Sequence, residues 1–164
     1  MLQDERTAGR PLDASFHGTL LPPQQEAVAW TYQHDIGVIC APTAFGKTAV
    51  GAWLVAQREV STLVVVHRQQ LLDQWRARLA TFLNLPVASI GQVGGGKSTR
   101  NGLIDVAVIQ SLQRKGAVQD FVADYGQVIV DECHHLSAFT FEQVLKQVKA
   151  RYVVGLTATP IRRN

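Results

Sequence analysis

The chain has 164 residues, 46% of them hydrophobic, with a net charge of +3 and a pI near 9.1, which fits one compact domain able to bury a full core. No apolar stretch approaches the ~20 residues needed to cross a bilayer, and the N-terminus lacks a charged-then-apolar signal pattern, so the cytoplasm is the default location. Cys40 and Cys133 imply no disulfide framework and are expected to be reduced, buried thiols, while the mild basic balance permits nucleic-acid binding without demanding it.

In chain order, Met1 to Thr19 reads as irregular, broken by Gly9, Pro11 and Gly18, and is expected to be a frayed lead or the end of a preceding domain. Gln24 to His34 reads as a short helix carrying Ala27, Val28 and Trp30. Ile36 to Cys40 is an apolar strand. It runs into Ala41-Pro42-Thr43-Ala44-Phe45-Gly46-Lys47-Thr48, after which Val50, Trp53, Leu54 and Val55 can supply the buried face of a helix. Leu63 to Val66 is a strand. Gln69 to Leu83 is an amphipathic helix, because Leu71, Leu72, Trp75, Leu79, Phe82 and Leu83 fall at helical spacing. Val87 to Val93 is expected to be a strand, followed by the Gly94-Gly95-Gly96 turn. Asp105 to Ile109 is another strand, followed by a short helix. Val128-Ile129-Val130 reads as a buried strand with Asp131 and Glu132 at its C-terminal end. Phe141 to Lys149 is helical, with Val144, Leu145 and Val148 inward, and Tyr152 to Leu156 is the last strand. Alternation of apolar strands with helices predicts an α/β fold in three layers, a mainly parallel sheet covered by helices on both faces.

Two segments carry chemistry. Strand, small-residue loop, Gly-Lys-Thr and helix is the order of a phosphate-binding loop, in which backbone N–H groups and the helix N-terminus point at phosphates. The general pattern has glycine where Ala41 stands. In such a loop Lys47 contacts the β- and γ-phosphates of ATP, and the Thr48 hydroxyl ligates Mg²⁺. The bland alternative is a helix start with a surface lysine. The acid-bearing strand downstream weighs against it, because two adjacent carboxylates are costly to desolvate unless a cation or proton chemistry uses them. Asp131 is then the expected Mg²⁺ ligand and Glu132 the group that orients and deprotonates the attacking water. Cys133, His134 and His135 lack the intervening residues of a zinc site, so none is expected there.

Taken together, the phosphate loop, Asp131-Glu132-Cys133-His134-His135 and Leu156-Thr157-Ala158-Thr159-Pro160 resemble motifs I, II and III of superfamily 2 helicases. The resemblance covers the chain from Leu20 to Arg163. It implies a RecA-like motor domain over 20–164, with residues 1–19 as an extension and a second RecA-like domain elsewhere. Leu20-Leu21-Pro22-Pro23-Gln24-Gln25 resembles the family's glutamine motif, which makes Gln24 the adenine reader; the usual arginine and aromatic of that motif are Leu21 and Pro23 here. The nucleotide site implied is Gln24, Thr43, Ala44, Phe45, Gly46, Lys47 and Thr48. His135, Thr157 and Thr159 are implied to couple hydrolysis to nucleic acid; helix capping is the bland alternative for the threonines. Val64 to Trp75 is similar to motif Ia, the glycine turn to Ib and Ile109 to Leu112 to Ic. They imply a nucleic-acid track with His67, Arg68, Gly94, Gly95, Gln110 and Ser111. Of the basic pairs, Lys97 with Arg100 and Arg114 with Lys115 fall near that track, whereas Arg162 and Arg163 lie at the end of the chain.

The His-Arg and Gln-Trp features look closer to the DNA-translocating, type III restriction-like branch than to RNA-specific DEAD-box proteins, so DNA is favoured over RNA. Two other readings stay in view. One is a non-catalytic nucleotide- or nucleic-acid-binding fragment, suggested by the bulky Phe45 and by Ala44, which would carry ~1–2 kcal/mol of strain if its backbone were left-handed. The other is a small-molecule P-loop kinase or GTPase, which gives no reason for Thr157-Ala158-Thr159-Pro160.

Overall fold

The computed structural model describes residues 6–41, 44–114, 117–132 and 138–157. The elements run α1 (Pro22–Tyr32), β1 (Ile36–Cys40), α2 (Ala44–Arg58), β2 (Thr62–Val66), α3 (Gln69–Leu83), β3 (Gly91–Gly94), β4 (Lys97–Ser98), β5 (Ile104–Val108), β6 (Gln113–Arg114), β7 (Ala117–Val118), β8 (Gln127–Asp131), α4 (Ala138–Gln147) and β9 (Tyr152–Thr157). Seven strands form one sheet in the order β1-β9-β8-β2-β5-β3-β4, parallel throughout except for the β3–β4 hairpin. β2, β5 and β8 are buried along their whole length, as β-branched runs covered on both faces require.

Alternation along these strands sorts the core into two layers. Val64, Val66, Val106, Ile129, Val154 and Leu156 face α1, α2 and α3 through Val28, Val50, Leu54, Leu72 and Leu79. Leu63, Val65, Ala107, Val128 and Val130 face the other way, against Val144 of α4 and Val122 and Tyr125 of a 3₁₀ turn before β8. Because the strands that crossovers connect are parallel, the loop that follows each of them lies at one end of the sheet, beyond the strands' C-terminal ends.

Several expectations are corrected. The run from Val87 begins as a 3₁₀ turn at Val87–Ser89, with Ser89 N–H bonding Pro86 O at 2.9 Å and Ile90 N–H bonding Val87 O at 3.0 Å; the strand starts only at Gly91. Pro86 fixes that turn by supplying a preset φ and a free carbonyl. β1 is an edge strand, so its outer positions are uncovered: Ile36 is 62% exposed, and Cys40 is exposed rather than buried. Cys133 lies outside the described residues. Trp30 is exposed too, stacked 4.1 Å from His34, while Val28 and Thr31 form the buried side of α1. The irregular lead is not frayed over its described part. Thr7 N–H bonds Lys149 O, Leu12 N–H bonds Glu59 O, and Arg10 and Ser61 exchange backbone and side-chain bonds, which ties the lead to the end of the sheet opposite the C-terminal ends of the parallel strands. Gly9, at φ +70°, allows this docking, since a Cβ there would stand 2.3 Å from Gly126 N.

Candidate nucleotide site

The helix α2 starts at Ala44, two residues before Gly46-Lys47-Thr48. Ala44 and Phe45 thus have helical backbone, and the left-handed strain considered for Ala44 does not arise; the non-glycine residues with positive φ among those described are Glu59, Asn84 and Glu132. The first turn of α2 directs its backbone N–H groups beyond the end of β1. Ala41 N–H bonds Thr157 O at 2.8 Å, which fastens the loop's start to the end of β9.

Lys47 is 5% exposed, Thr48 2%, Asp131 2% and Thr157 2%, so four polar side chains at the start of α2 and the ends of β8 and β9 are nearly dry. Lys47 Nζ lies 2.9 Å from Asp131 Oδ1 and is ion-paired with Glu132 Oε1. Burial pushes the Lys47 ammonium down, but the Glu132 and Asp131 carboxylates outweigh it and hold it above its ordinary value. Glu132, the turn residue after β8, has φ +50°, a left-handed conformation that costs a residue with a Cβ ~1–2 kcal/mol. That turn lets two consecutive carboxylates reach one ammonium, which the alternation of an extended strand forbids.

Asp131 Oδ1 is buried, and the partner it meets is the Lys47 ammonium, 2.9 Å away. The buried Asp131 carboxylate and the buried Thr48 hydroxyl, both hard-oxygen donors, are of the type that binds Mg²⁺. They fit a Mg²⁺ held by one carboxylate, one hydroxyl and phosphate oxygens, the manner in which this ion is bound at nucleotide sites.

The other site residues fall as follows. Gln24 is half-buried in the first turn of α1, and its Oε1 accepts from Leu21 N–H at 2.8 Å as a helix cap. His67 and Arg68 follow β2, Gly94 and Gly95 close β3, and Gln110 and Ser111 form a 3₁₀ turn after β5. All six lie at the same end of the sheet as Asp131, stepping away from it by about 5 Å per strand through β2, β5 and β3. Gly95 and Gly96, at φ +59° and +76°, make the tight β3–β4 turn. Thr43, His135 and Thr159 lie outside the described residues.

Sequence reasoning missed two contributors. Trp75 reads as a core apolar residue, yet its indole N–H donates to Asp131 Oδ2 at 2.8 Å across 56 positions. Gln69 lies against the glycine turn: its Oε1 would be 2.9 Å from a Cβ at Gly94 and 3.1 Å from one at Gly95. The first leaves no local signal, since its partner lies 56 positions away.

Residues 17–162 match the family described as type III restriction enzyme, res subunit. A DNA 3'-5' translocase, XPB2, of Sulfurisphaera tokodaii is 31% identical over 139 residues, 85% of this chain and 30% of that protein. A putative ATP-dependent RNA helicase of Acanthamoeba polyphaga mimivirus is 28% identical over 156 residues, 93% of this chain and 30% of that protein. The UvsW helicase of bacteriophage T4 shares the fold with a TM-score of 0.72 at 18% identity, over 91% of this chain and 56% of that one. The chain belongs to the type III restriction-like family of superfamily 2 helicases and forms a RecA-like motor domain. It spans about 30% of the length of these two curated relatives.

Proposed function

We propose that this domain binds ATP and hydrolyses it as one part of a nucleic-acid-dependent motor. The observation that carries the reading is Lys47 held between Asp131 and Glu132 at the strand ends, directly beneath the N-terminus of α2. In the nucleotide-bound state Lys47 leaves the carboxylates for the β- and γ-phosphates, with the N–H groups of Gly46, Lys47 and Thr48 cradling the same anion. Released from Lys47, Glu132 accepts a proton from the attacking water and aims it at the γ-phosphorus. Asp131 and Thr48 hold Mg²⁺, which when bound neutralises charge on the phosphate oxygens. Gln24 offers its amide N–H to the adenine edge while its oxygen caps α1. Thr43, Ala44 and Phe45 complete the loop around the phosphates. His135, Thr157 and Thr159 connect the site to the track of His67, Arg68, Gly94, Gly95, Gln110 and Ser111, on which DNA is favoured over RNA. The domain proper is 20–164, and a second RecA-like domain of a longer protein closes the site.

The test is ATP hydrolysis by the longer protein containing this chain, with and without DNA or RNA, against Glu132→Gln. Loss of the general base lowers turnover by about 10²–10⁴-fold, with ATP still bound and DNA the better activator. Undiminished hydrolysis by Glu132→Gln would overturn the assignment.

A further inference from the structure

Trp75 is 1% exposed, and a buried indole N–H needs an acceptor. Here the acceptor is the carboxylate at the end of β8, met at 2.8 Å on Oδ2. A hydrogen bond to a charged acceptor is stronger than a neutral one, and it has direction. With Oδ2 held by the indole, rotation of the Asp131 carboxylate is restrained and Oδ1 is turned toward Lys47 Nζ, 2.9 Å away.

The approach of the indole is built into α2. Gly51 follows Lys47 by one helical turn, so the two share a face. A Cβ at Gly51 would stand 2.7 Å from both Cη2 and Cζ3 of Trp75. Glycine inside a helix costs about 1 kcal/mol relative to alanine, and at this position it opens the slot through which the ring reaches Asp131. Three elements thus converge on one carboxylate: α3 supplies the donor, α2 the slot and the ammonium, and β8 the acid.

We infer that Trp75 is a positioning residue for the metal-binding carboxylate, fixing Asp131 so that Oδ1 is presented to a divalent cation on the nucleotide. The inference rests on the nucleotide-site reading above. Outer partners of metal ligands act by orienting them, and their loss typically weakens metal binding about 10–100-fold.

The test is a titration of the 164-residue chain with ADP, in Mg²⁺ and in EDTA, comparing wild type with Trp75→Phe. Trp75→Phe is expected to raise the Mg²⁺ concentration for half-maximal ADP binding by about 10-fold or more, with ADP affinity in EDTA unchanged. Added to Asp131→Asn, it is expected to have no further effect on the Mg²⁺ dependence. Equal weakening in Mg²⁺ and EDTA marks a merely structural tryptophan and overturns the inference. Should Trp75→Phe fail to fold, the indole N–H resonance of wild type decides. It is assigned by Trp30→Phe and Trp53→Phe, and is expected to move when Mg²⁺ is added to the ADP-bound chain. A resonance indifferent to Mg²⁺ overturns the inference while leaving the nucleotide site standing. Absence of any ADP binding by wild type removes both.

Discussion

Replacing Lys47 tests the electrostatics of the site through stability alone. Lys47→Met keeps most of the aliphatic stem and removes the ammonium. What remains is Asp131, 2% exposed, with a single hydrogen bond from Trp75 and no counter-ion at 2.9 Å. Breaking a buried pair from one side costs about 3–5 kcal/mol, because an uncompensated charge is left behind. Glu132 is 12% exposed and keeps some access to water, which places the expected loss at the low end, about 3 kcal/mol. For a domain of this size that lowers the melting temperature by roughly 6–12 °C. Urea unfolding followed by circular dichroism measures the free energy directly. Lys47→Met combined with Asp131→Asn is expected to recover more than half of the loss, since the buried charge is then gone. Wild-type stability in Lys47→Met, or a double variant no more stable than the single one, would falsify the description of a buried, mutually dependent pair.

Further outcomes follow from the geometry. Gly91→Ala drives a Cβ to 1.8 Å from Asp105 Oδ1 and 2.8 Å from Thr99 O, so a loss of about 2–3 kcal/mol or more is expected in urea. Gly96→Ala meets nothing within 4 Å and has only its φ of +76° to overcome, about 1 kcal/mol. Arg58 donates to Thr31 O at 2.7 Å, His34 O at 2.9 Å and Gln127 Oε1 at 2.9 Å, so Arg58→Lys, which cannot reproduce the fork, is expected to cost about 2–3 kcal/mol. Alkaline pH destabilises the chain through two groups. The Lys47 ammonium, held above its ordinary value of 10.5, contributes stability that is full below that pH and is lost as pH rises through the folded value. The Tyr125 phenol is pushed up by burial and by its 2.6 Å bond to Asp105, and behaves with the same sign. Stability measured against pH should therefore fall more gently in Lys47→Met and in Tyr125→Phe than in wild type; parallel curves would contradict this.

The parts of the fold legible in the sequence are those whose periodicity is unmixed. β2, β5 and β8 read correctly because β-branched runs covered on both faces need no partner information, and α3 because its apolar residues repeat at helical spacing. That Lys47, Asp131 and Glu132 come together at the strand ends follows from their places at the start of α2 and the end of β8, which the apolar runs beside them mark. What failed depended on long-range packing. Val87 to Val93 is apolar enough for a strand, but Pro86 winds its start into a turn. Ile36 to Cys40 looks like a core strand, yet its place at the sheet edge leaves it uncovered. The two-residue strands β4, β6 and β7 are too short to leave a pattern. Buried polar partnerships, such as Asp105 with Tyr125, Arg58 with Gln127 and Trp75 with Asp131, link residues 20 to 69 positions apart and leave no local mark.

The most direct measurement is the backbone amide spectrum of the chain during titration with ATP and Mg²⁺. The largest shifts are expected at Gly46, Lys47, Thr48, Asp131 and Thr157, all at one end of the sheet, and are expected to be absent in Lys47→Met. Shifts centred on the remote end around Arg10, Arg100 and Gly102, or none at millimolar nucleotide, would contradict a nucleotide site built on Lys47 and Asp131.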